Sequence, residues 1–160
     1  MSASLSSGEV RVVAADLSDP RVAALLAEHL AEMEPTAPPE SRHALTLDQF
    51  RVPWVRLWVA ELDGALVGSV ALKEVGPGHL EIKTMRTSAA VRGRGLGRVL
   101  LAHALGEARA SGASRVSLET GVVPLFDAAR ALYTSAGFTP CEPFGTYHPD
   151  RHSTFLTLEL

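Results

Sequence analysis

The sequence predicts an α/β (α+β) fold in which about four helices pack on a mixed central sheet of about six to seven strands. Short β-branched segments recur along the chain, and two of them are joined by Asp63-Gly64, the strongest short signal for a hairpin. The predicted strand at 79–87 is a second sign of this fold. It is followed by a glycine-rich turn, a helix and another strand at 115–120. A strand, crossover helix and strand in that order place the two strands parallel.

Length and composition limit the class of protein. The chain of 160 residues suits one domain, residues 1–160, with residues 1–8 expected to be flexible. Its net charge of −3 gives no general attraction to nucleic acid or to an anionic membrane. No apolar run approaches the ~20 residues of a membrane span, and the serine-rich start lacks the basic and apolar regions of a secretory signal. The single cysteine, Cys141, suits a reducing compartment, so we expect a cytoplasmic protein.

The N-terminal third is predicted as a strand, a helix and a loop. Residues 9–14 alternate and are β-branched, which is typical of a strand. Asp19-Pro20 then predicts a helix start, with the aspartate as N-cap and the proline at the first helical position. Three prolines at 35–43 predict an extended loop, and residues 46–50 predict a short second helix.

The remaining elements follow from alternation, helix periodicity and turn residues. Strands are predicted at 54–62, 65–73, 79–87, 115–120, from 138 onward and at 152–160, and helices after the glycine turn up to Gly112 and at 124–136, where Gly137 ends the helix.

The glycine turn at 92–97, which reads RGRGLG, lies between a predicted strand and a predicted helix. The first amides of a helix lack internal partners and attract anions, so this turn predicts a phosphate site. A Rossmann fingerprint would need glycine at position 98 or 100, where the chain has Arg98 and Leu100. No Gly-Lys-Ser/Thr follows, which excludes a Walker A loop. A tight turn without a ligand is the remaining alternative.

The Arg-x-x-Gly-x-Gly pattern of this turn resembles the pyrophosphate loop of the GNAT family of acyl-CoA-dependent N-acetyltransferases. A second segment, Ala-x-x-Leu-Tyr-x-x-x-Gly-Phe at 129–138, resembles another motif of that family. The element order is similar over residues 9–160, and the segments SRHAL, EIKTMRT and LETG resemble its small bacterial YsnE-like subgroup. The resemblance implies the GNAT fold with a splayed strand pair, acetyl-CoA as co-substrate, and transfer to a primary amine of a small molecule by direct attack.

The resemblance also implies which residues hold acetyl-CoA. By alignment to the family pattern, the pantetheine arm meets the backbone of the strand at 79–87 and the pyrophosphate meets the glycine turn. The implied contacts are Met85, Arg86, Thr87, Arg92, Gly93, Arg94, Gly95, Leu96, Gly97 and Arg98. Phe126 stands where many family members have an asparagine that touches the pantetheine, which puts that one contact in doubt.

Two catalytic residues are implied by the same resemblance. Glu81 occupies a position where several family members place a base that takes a proton from the amine. The alternative is an ion pair with Lys83 or an arginine, and His79 is a weaker candidate for the base. Tyr133 aligns with a tyrosine that protonates the departing thiolate, and a phenol, with a pKa of about 10, still carries a proton to give at neutral pH. Packing of its ring on the sheet is the alternative.

The loops at 35–45 and 141–152 are expected to select the acceptor. His43, Glu119 and Tyr147 are the predicted acceptor contacts. Glu119 could share a proton relay, orient a cationic amine or pair with an arginine. A basic rim formed by Arg42, His43, Lys83 and Arg86 would hint at an amine that also bears a carboxylate.

Three further expectations complete the prediction. His148 and His152 have helical spacing, but the proline between them and the lack of a third ligand argue against a metal. The family resemblance allows a homodimer. A CoA-binding sensor without catalysis is the alternative function, and the presence of both Glu81 and Tyr133 argues against it.

Overall fold

A computed structural model describes residues 10–160 of the chain. Its strands are Val10–Ala14 (β1), Val55–Leu62 (β2), Ala65–Gly76 (β3), His79–Thr87 (β4), Arg115–Gly121 (β5), Thr139–Pro140 (β6) and Ser153–Glu159 (β7). Its α-helices are Pro20–Met33 (α1), Leu96–Ala110 (α2) and Asp127–Ser135 (α3). The expected flexibility of residues 1–8 lies outside the described residues.

The strands form one seven-stranded sheet in the order β1-β2-β3-β4-β5-β7-β6. The β4–β5 pair is parallel and the other pairs are antiparallel, which confirms the predicted mixed sheet. Along β2, Leu57 and Val59 face a core with α1, whereas Trp58 and Ala60 face a core with α2 and α3. The sheet is therefore covered on both faces. No helix within residues 10–160 is long and apolar enough to cross a bilayer.

Helix α1 begins where the sequence predicts. The Asp19 carboxylate accepts a hydrogen bond from the Arg21 amide at 2.8 Å, and Pro20 occupies the first helical position. The β2–β3 hairpin is also as predicted, since Asp63 and Gly64 both have positive φ angles, 50° and 80°.

Three predictions of local structure are wrong in detail. The expected second helix is a single 3₁₀ turn, Leu47–Phe50, so the described residues hold three α-helices where about four were predicted. The helix predicted from Pro124 begins as a 3₁₀ turn and becomes α-helical only at Asp127. The strand expected from residue 138 is only two residues long. One of the two, Pro140, has no backbone N–H to donate to a neighbouring strand.

Strands β4 and β5 pair only over their first halves. The parallel register runs from His79 opposite Arg115 to Ile82 opposite Leu118 and then stops. Just beyond, β4 has a bulge in which Thr84, at φ 54°, and Met85 lie opposite the single Val70 of β3. The bulge bends β4 away from β5, which confirms the expected splayed pair and opens a cleft between the two strands.

Candidate active site

A cavity of about 320 Å³ lies between the second half of β4 and helix α3, and we call it the glycine-loop cavity. Its wall includes six of the predicted cofactor contacts, which are Met85, Arg86, Thr87, Arg92, Gly93 and Gly97. Gly95 caps α2 with a φ of 82°, and no side chain caps this helix end. The first amides of α2 are therefore free to meet an anion.

The other four predicted cofactor contacts do not line this cavity. The side chains of Arg94 and Arg98 are exposed, and Leu96 is buried in the core beneath α2. For Leu96 and Gly95 only the backbone is suited to hold a phosphate. Gly97 also allows α2 and α3 to pack closely, because a Cβ there would press on the Leu132 side chain of α3.

An acidic residue that the sequence did not single out bridges the cavity wall. Glu32 of α1 accepts hydrogen bonds from Arg86, at 2.8 and 3.0 Å, and from Arg92. Arg92 also donates to the Thr87 carbonyl at 3.1 Å. Burial would raise the pKa of Glu32, but the two guanidinium groups outweigh burial and hold that pKa below its ordinary value. The side chain of Glu32 therefore connects α1 to β4 and the glycine turn.

Tyr133 of α3 is buried and lines the glycine-loop cavity. Its ring packs on Phe138 with centroids 5.8 Å apart, so the predicted packing contact is present. Burial raises the pKa of the phenol above its ordinary value, which keeps it protonated at neutral pH. The residue thus combines a structural contact with a position suited to a proton donor.

A smaller central cavity, of about 90 Å³, lies next to the glycine-loop cavity. The two share the wall residues His29, Met33, Thr120 and Phe126. Phe126 lies against Gly121, where any Cβ would collide with the ring, so the ring occupies this part of both walls.

The central cavity carries several polar groups without protein partners. The Nδ1 atom of His29 and the Oγ1 atom of Thr84 are buried and make no hydrogen bond. Burial, and to a lesser extent the charge of Arg86, lowers the pKa of His29 to about 4, so the imidazole is neutral. Glu119 lines the same cavity, and burial raises its pKa above the ordinary value although Lys83 opposes the shift.

A third cavity, of about 650 Å³, lies beneath the loops at 40–45 and 145–150, and we call it the loop cavity. It shares Arg42, His43, Ala44 and Lys83 with the central cavity. The three cavities therefore adjoin one another, from the glycine turn through the central cavity to the loops.

Glu81, Lys83 and Tyr147 form a part-buried network on the wall of the loop cavity. The Tyr147 hydroxyl donates to Glu81 Oε2 at 2.5 Å, and Lys83 Nζ lies 3.2 Å from the same oxygen and 2.8 Å from the hydroxyl. Burial, and then the Glu81 charge, raises the pKa of Tyr147. The predicted Glu81–Lys83 ion pair is thus present, and Tyr147 was missed as its third member because nothing local connects it to β4.

The structure also places His43, His79 and Arg86, the remaining predicted site residues. His43 packs edge-on against Tyr147 with centroids 4.8 Å apart, and so lies at the loop cavity as expected. His79 is instead bonded to Ser117 at 2.6 Å and lines none of the three cavities. Arg86, which was expected both among the cofactor contacts and at the acceptor rim, lines the glycine-loop cavity and pairs with Glu32. Within residues 10–160 no three potential metal ligands cluster.

The chain belongs to the Acetyltransferase (GNAT) family, whose profile matches residues 22–138. It is 45% identical to the uncharacterized N-acetyltransferase YsnE of Bacillus subtilis, over 91% of this chain and 96% of that protein. It is 42% identical to the uncharacterized N-acetyltransferase YedL of Escherichia coli, over 91% of each. The family and subgroup expected from the sequence are thereby confirmed, and the chain is an enzyme of the N-acetyltransferase class.

A solved structure supports the fold independently. The crystal structure of a Bacillus subtilis acetyltransferase in complex with CoA superposes with a TM-score of 0.70, covering 95% of this chain and 99% of that one. The two are 18% identical, so this likeness shows the fold alone.

Proposed function

We propose that the protein transfers the acetyl group of acetyl-CoA to a primary amine of a small molecule, by direct attack in a ternary complex. The observation that carries the proposal is the series of three adjoining cavities. The glycine-loop cavity, with Tyr133 on its wall, suits the donor, and the loop cavity, with Glu81 on its wall, suits the acceptor. The central cavity between them is where the two substrates would meet.

The donor would be held mainly by backbone groups. The free amides at the start of α2 would bind the pyrophosphate, and the unpaired half of β4, at Met85 and Thr87, would pair with the amides of the pantetheine arm. The shape of the cleft supports this, because β5 leaves that edge of β4 open from Lys83 onward.

In the reaction the amine nitrogen would attack the thioester carbonyl, forming the C–N bond and breaking the C–S bond. Glu81 would take the ammonium proton, directly or through water, and Tyr133 would give a proton to the departing thiolate. Glu119, whose pKa is raised by burial, lies at the central cavity and is the alternative base. The amine nitrogen would lose its second proton to solvent as the C–S bond breaks. The cycle would close when Glu81 releases its proton to solvent and Tyr133 takes one up.

Direct attack is favoured over an acetyl-enzyme intermediate by the position of the sole cysteine. Cys141 lines none of the three cavities, and burial raises the pKa of its thiol. A thiol with a raised pKa is a poor nucleophile near neutral pH because little of it is thiolate.

The experiment is a panel of small amines with detection of released CoA, together with calorimetric titration of acetyl-CoA. Glu81→Gln and Tyr133→Phe are each expected to lower kcat by about 10²-fold or more while acetyl-CoA still binds. Glu142→Gln, at an exposed carboxylate that lines none of the three cavities, is the matched control and should leave kcat unchanged. Full turnover in both variants would overturn the assigned roles.

A CoA-binding protein without catalysis is the second candidate. It is favoured by one observation, that Glu81 already has two close partners in Lys83 and Tyr147. Such a protein would bind acetyl-CoA and release no CoA with any amine of the panel, so the same experiment separates the two functions.

A further inference from the structure

Arg42 differs from the other arginines that the structure describes. Its Nε atom is buried and has no hydrogen-bond partner, and its guanidinium makes no salt bridge within residues 10–160. Every other arginine in that range either pairs with a carboxylate or is exposed. An always-charged group with a buried, unpaired nitrogen is unfavourable, so the site is suited to an anionic partner from outside the protein.

The acidic side chains around Arg42 do not supply that partner. Glu81 is engaged by Lys83 and Tyr147. The Ser41 hydroxyl and the His152 amide beside Asp150 hold the pKa of its carboxyl below the usual value, with the amide at 2.8 Å. The other two acids of the loop cavity, Glu40 and Glu74, are exposed at its rim.

Arg42 also lies where the acceptor would be recognised. It lines both the central cavity and the loop cavity, and the central cavity presents the Glu119 carboxylate as well. A molecule that enters the central cavity therefore meets the guanidinium of Arg42 and the carboxyl group of Glu119 on the same wall. An amine would be drawn to the carboxyl group, and a carboxylate to the guanidinium fork.

We propose that Arg42 binds a carboxylate of the acceptor, so that the substrates are amino acids or other short molecules bearing both an amine and a carboxylate. This inference rests on the proposed acetyl transfer and names its substrate class. Arg42 is then a specificity-determining residue, since it contacts the acceptor away from the reacting atoms. Because a guanidinium binds a carboxylate through two parallel hydrogen bonds, a neutral carboxamide is a poor substitute.

The test uses matched acceptors that differ only at the carboxylate: a set of amino acids, their carboxamides, and the amines lacking the carboxyl group. Wild-type protein should acetylate the acids with kcat/KM at least about tenfold above the other two. Arg42→Gln should abolish that preference while the KM for acetyl-CoA stays unchanged. Arg51→Gln, an exposed arginine on the neighbouring loop, is the control and should keep the preference. Equal or better rates with the carboxamides, or an unchanged preference in Arg42→Gln, would overturn the inference.

A binding measurement decides the inference even if no turnover is found. N-acetyl amino acids, the expected products, carry the carboxylate and lack the amine. In the presence of CoA they should shift the NMR signal of the Arg42 Nε–H, which is assigned by its loss in Arg42→Gln, whereas their carboxamides should not. Failure of both to shift the signal would refute the carboxylate site, and failure of all amines to release CoA would refute the proposed transfer separately.

Discussion

The Tyr147 hydroxyl donates a hydrogen bond to Glu81 Oε2 at 2.5 Å and so connects the segment before β7 to the middle of β4. The two residues are 66 positions apart in the chain. A hydrogen bond to a carboxylate is stronger than one between neutral groups, and the pair is part-buried. Tyr147 therefore fixes both the proposed base and one wall of the loop cavity.

We expect Tyr147→Phe to lower kcat by about tenfold with an unchanged KM for acetyl-CoA, because Glu81 keeps Lys83 but loses its second contact. The free energy of unfolding should fall by about 1.5–3 kcal/mol, as for loss of a hydrogen bond to a charged group. Steady-state kinetics and urea unfolding measure the two effects. An equal loss of affinity for acetyl-CoA would indicate a general disturbance of the fold instead of a role at the acceptor side.

The Glu32 bridge predicts an effect on donor binding. Glu32→Gln removes the counter-charge of Arg86 and Arg92, so the glycine turn is no longer attached firmly to α1. We expect the Kd for CoA to rise by about tenfold, whereas the KM for acetyl-pantetheine, which has no pyrophosphate, should not change. Calorimetry and kinetics with the two donors measure this.

The control for that prediction is Glu28→Gln, one turn earlier on α1, because Glu28 is more exposed and lies 3.6 Å from Arg86. The Glu28→Gln variant should bind CoA like the wild type.

The stability contributed by Glu32 has a defined pH dependence. Its pKa is held below 4.5, so the contribution is complete above that pH and disappears as the pH falls further. Equal weakening for acetyl-pantetheine would contradict a role confined to the pyrophosphate.

The sequence predicted those parts of the fold and site that depend on neighbouring residues. The hairpin at Asp63-Gly64, the α1 cap at Asp19 and the glycine turn each follow from local conformational preferences, and the structure has them at the predicted positions. The bulge at Thr84 was not predicted, because a threonine in a β-branched strand gives no sign of a positive φ.

The contacts between distant segments could not be predicted in the same way. Glu32 and Arg92 are 60 positions apart, and the partner of each depends on how α1 packs across the sheet. On the sequence alone nothing separates Glu32 from Glu28, the other acid of α1. The cavity that Arg86 lines could not be predicted for the same reason, since it depends on the bulge in β4.

The contact between Gly121 and Phe126 predicts a steric effect. Gly121→Ala would force the Phe126 ring to move, because the new Cβ would overlap it. We expect the free energy of unfolding to fall by about 1–3 kcal/mol and donor binding to weaken, since the ring lines the glycine-loop cavity. Adding Phe126→Ala should restore most of the stability, as measured by urea unfolding. A double variant no more stable than Gly121→Ala would show that the ring is not the cause.

His29 predicts a loss of stability in mild acid. Its pKa is about 4 in the fold and 6.5 in the unfolded chain, so the unfolded chain binds the proton more readily. Stability is therefore unaffected above pH 6.5 and falls as the pH drops toward 4, by an amount on the order of 3 kcal/mol for this one group. Urea unfolding of the wild type and of His29→Gln between pH 7 and 4 measures the difference, which should narrow as the pH falls because glutamine does not titrate. His148→Gln, at an exposed histidine on the loop before β7, is the control for replacing a histidine by glutamine. Parallel curves for His29→Gln and the wild type would mean that the imidazole becomes charged in the folded protein without penalty, and would contradict its burial beside Arg86.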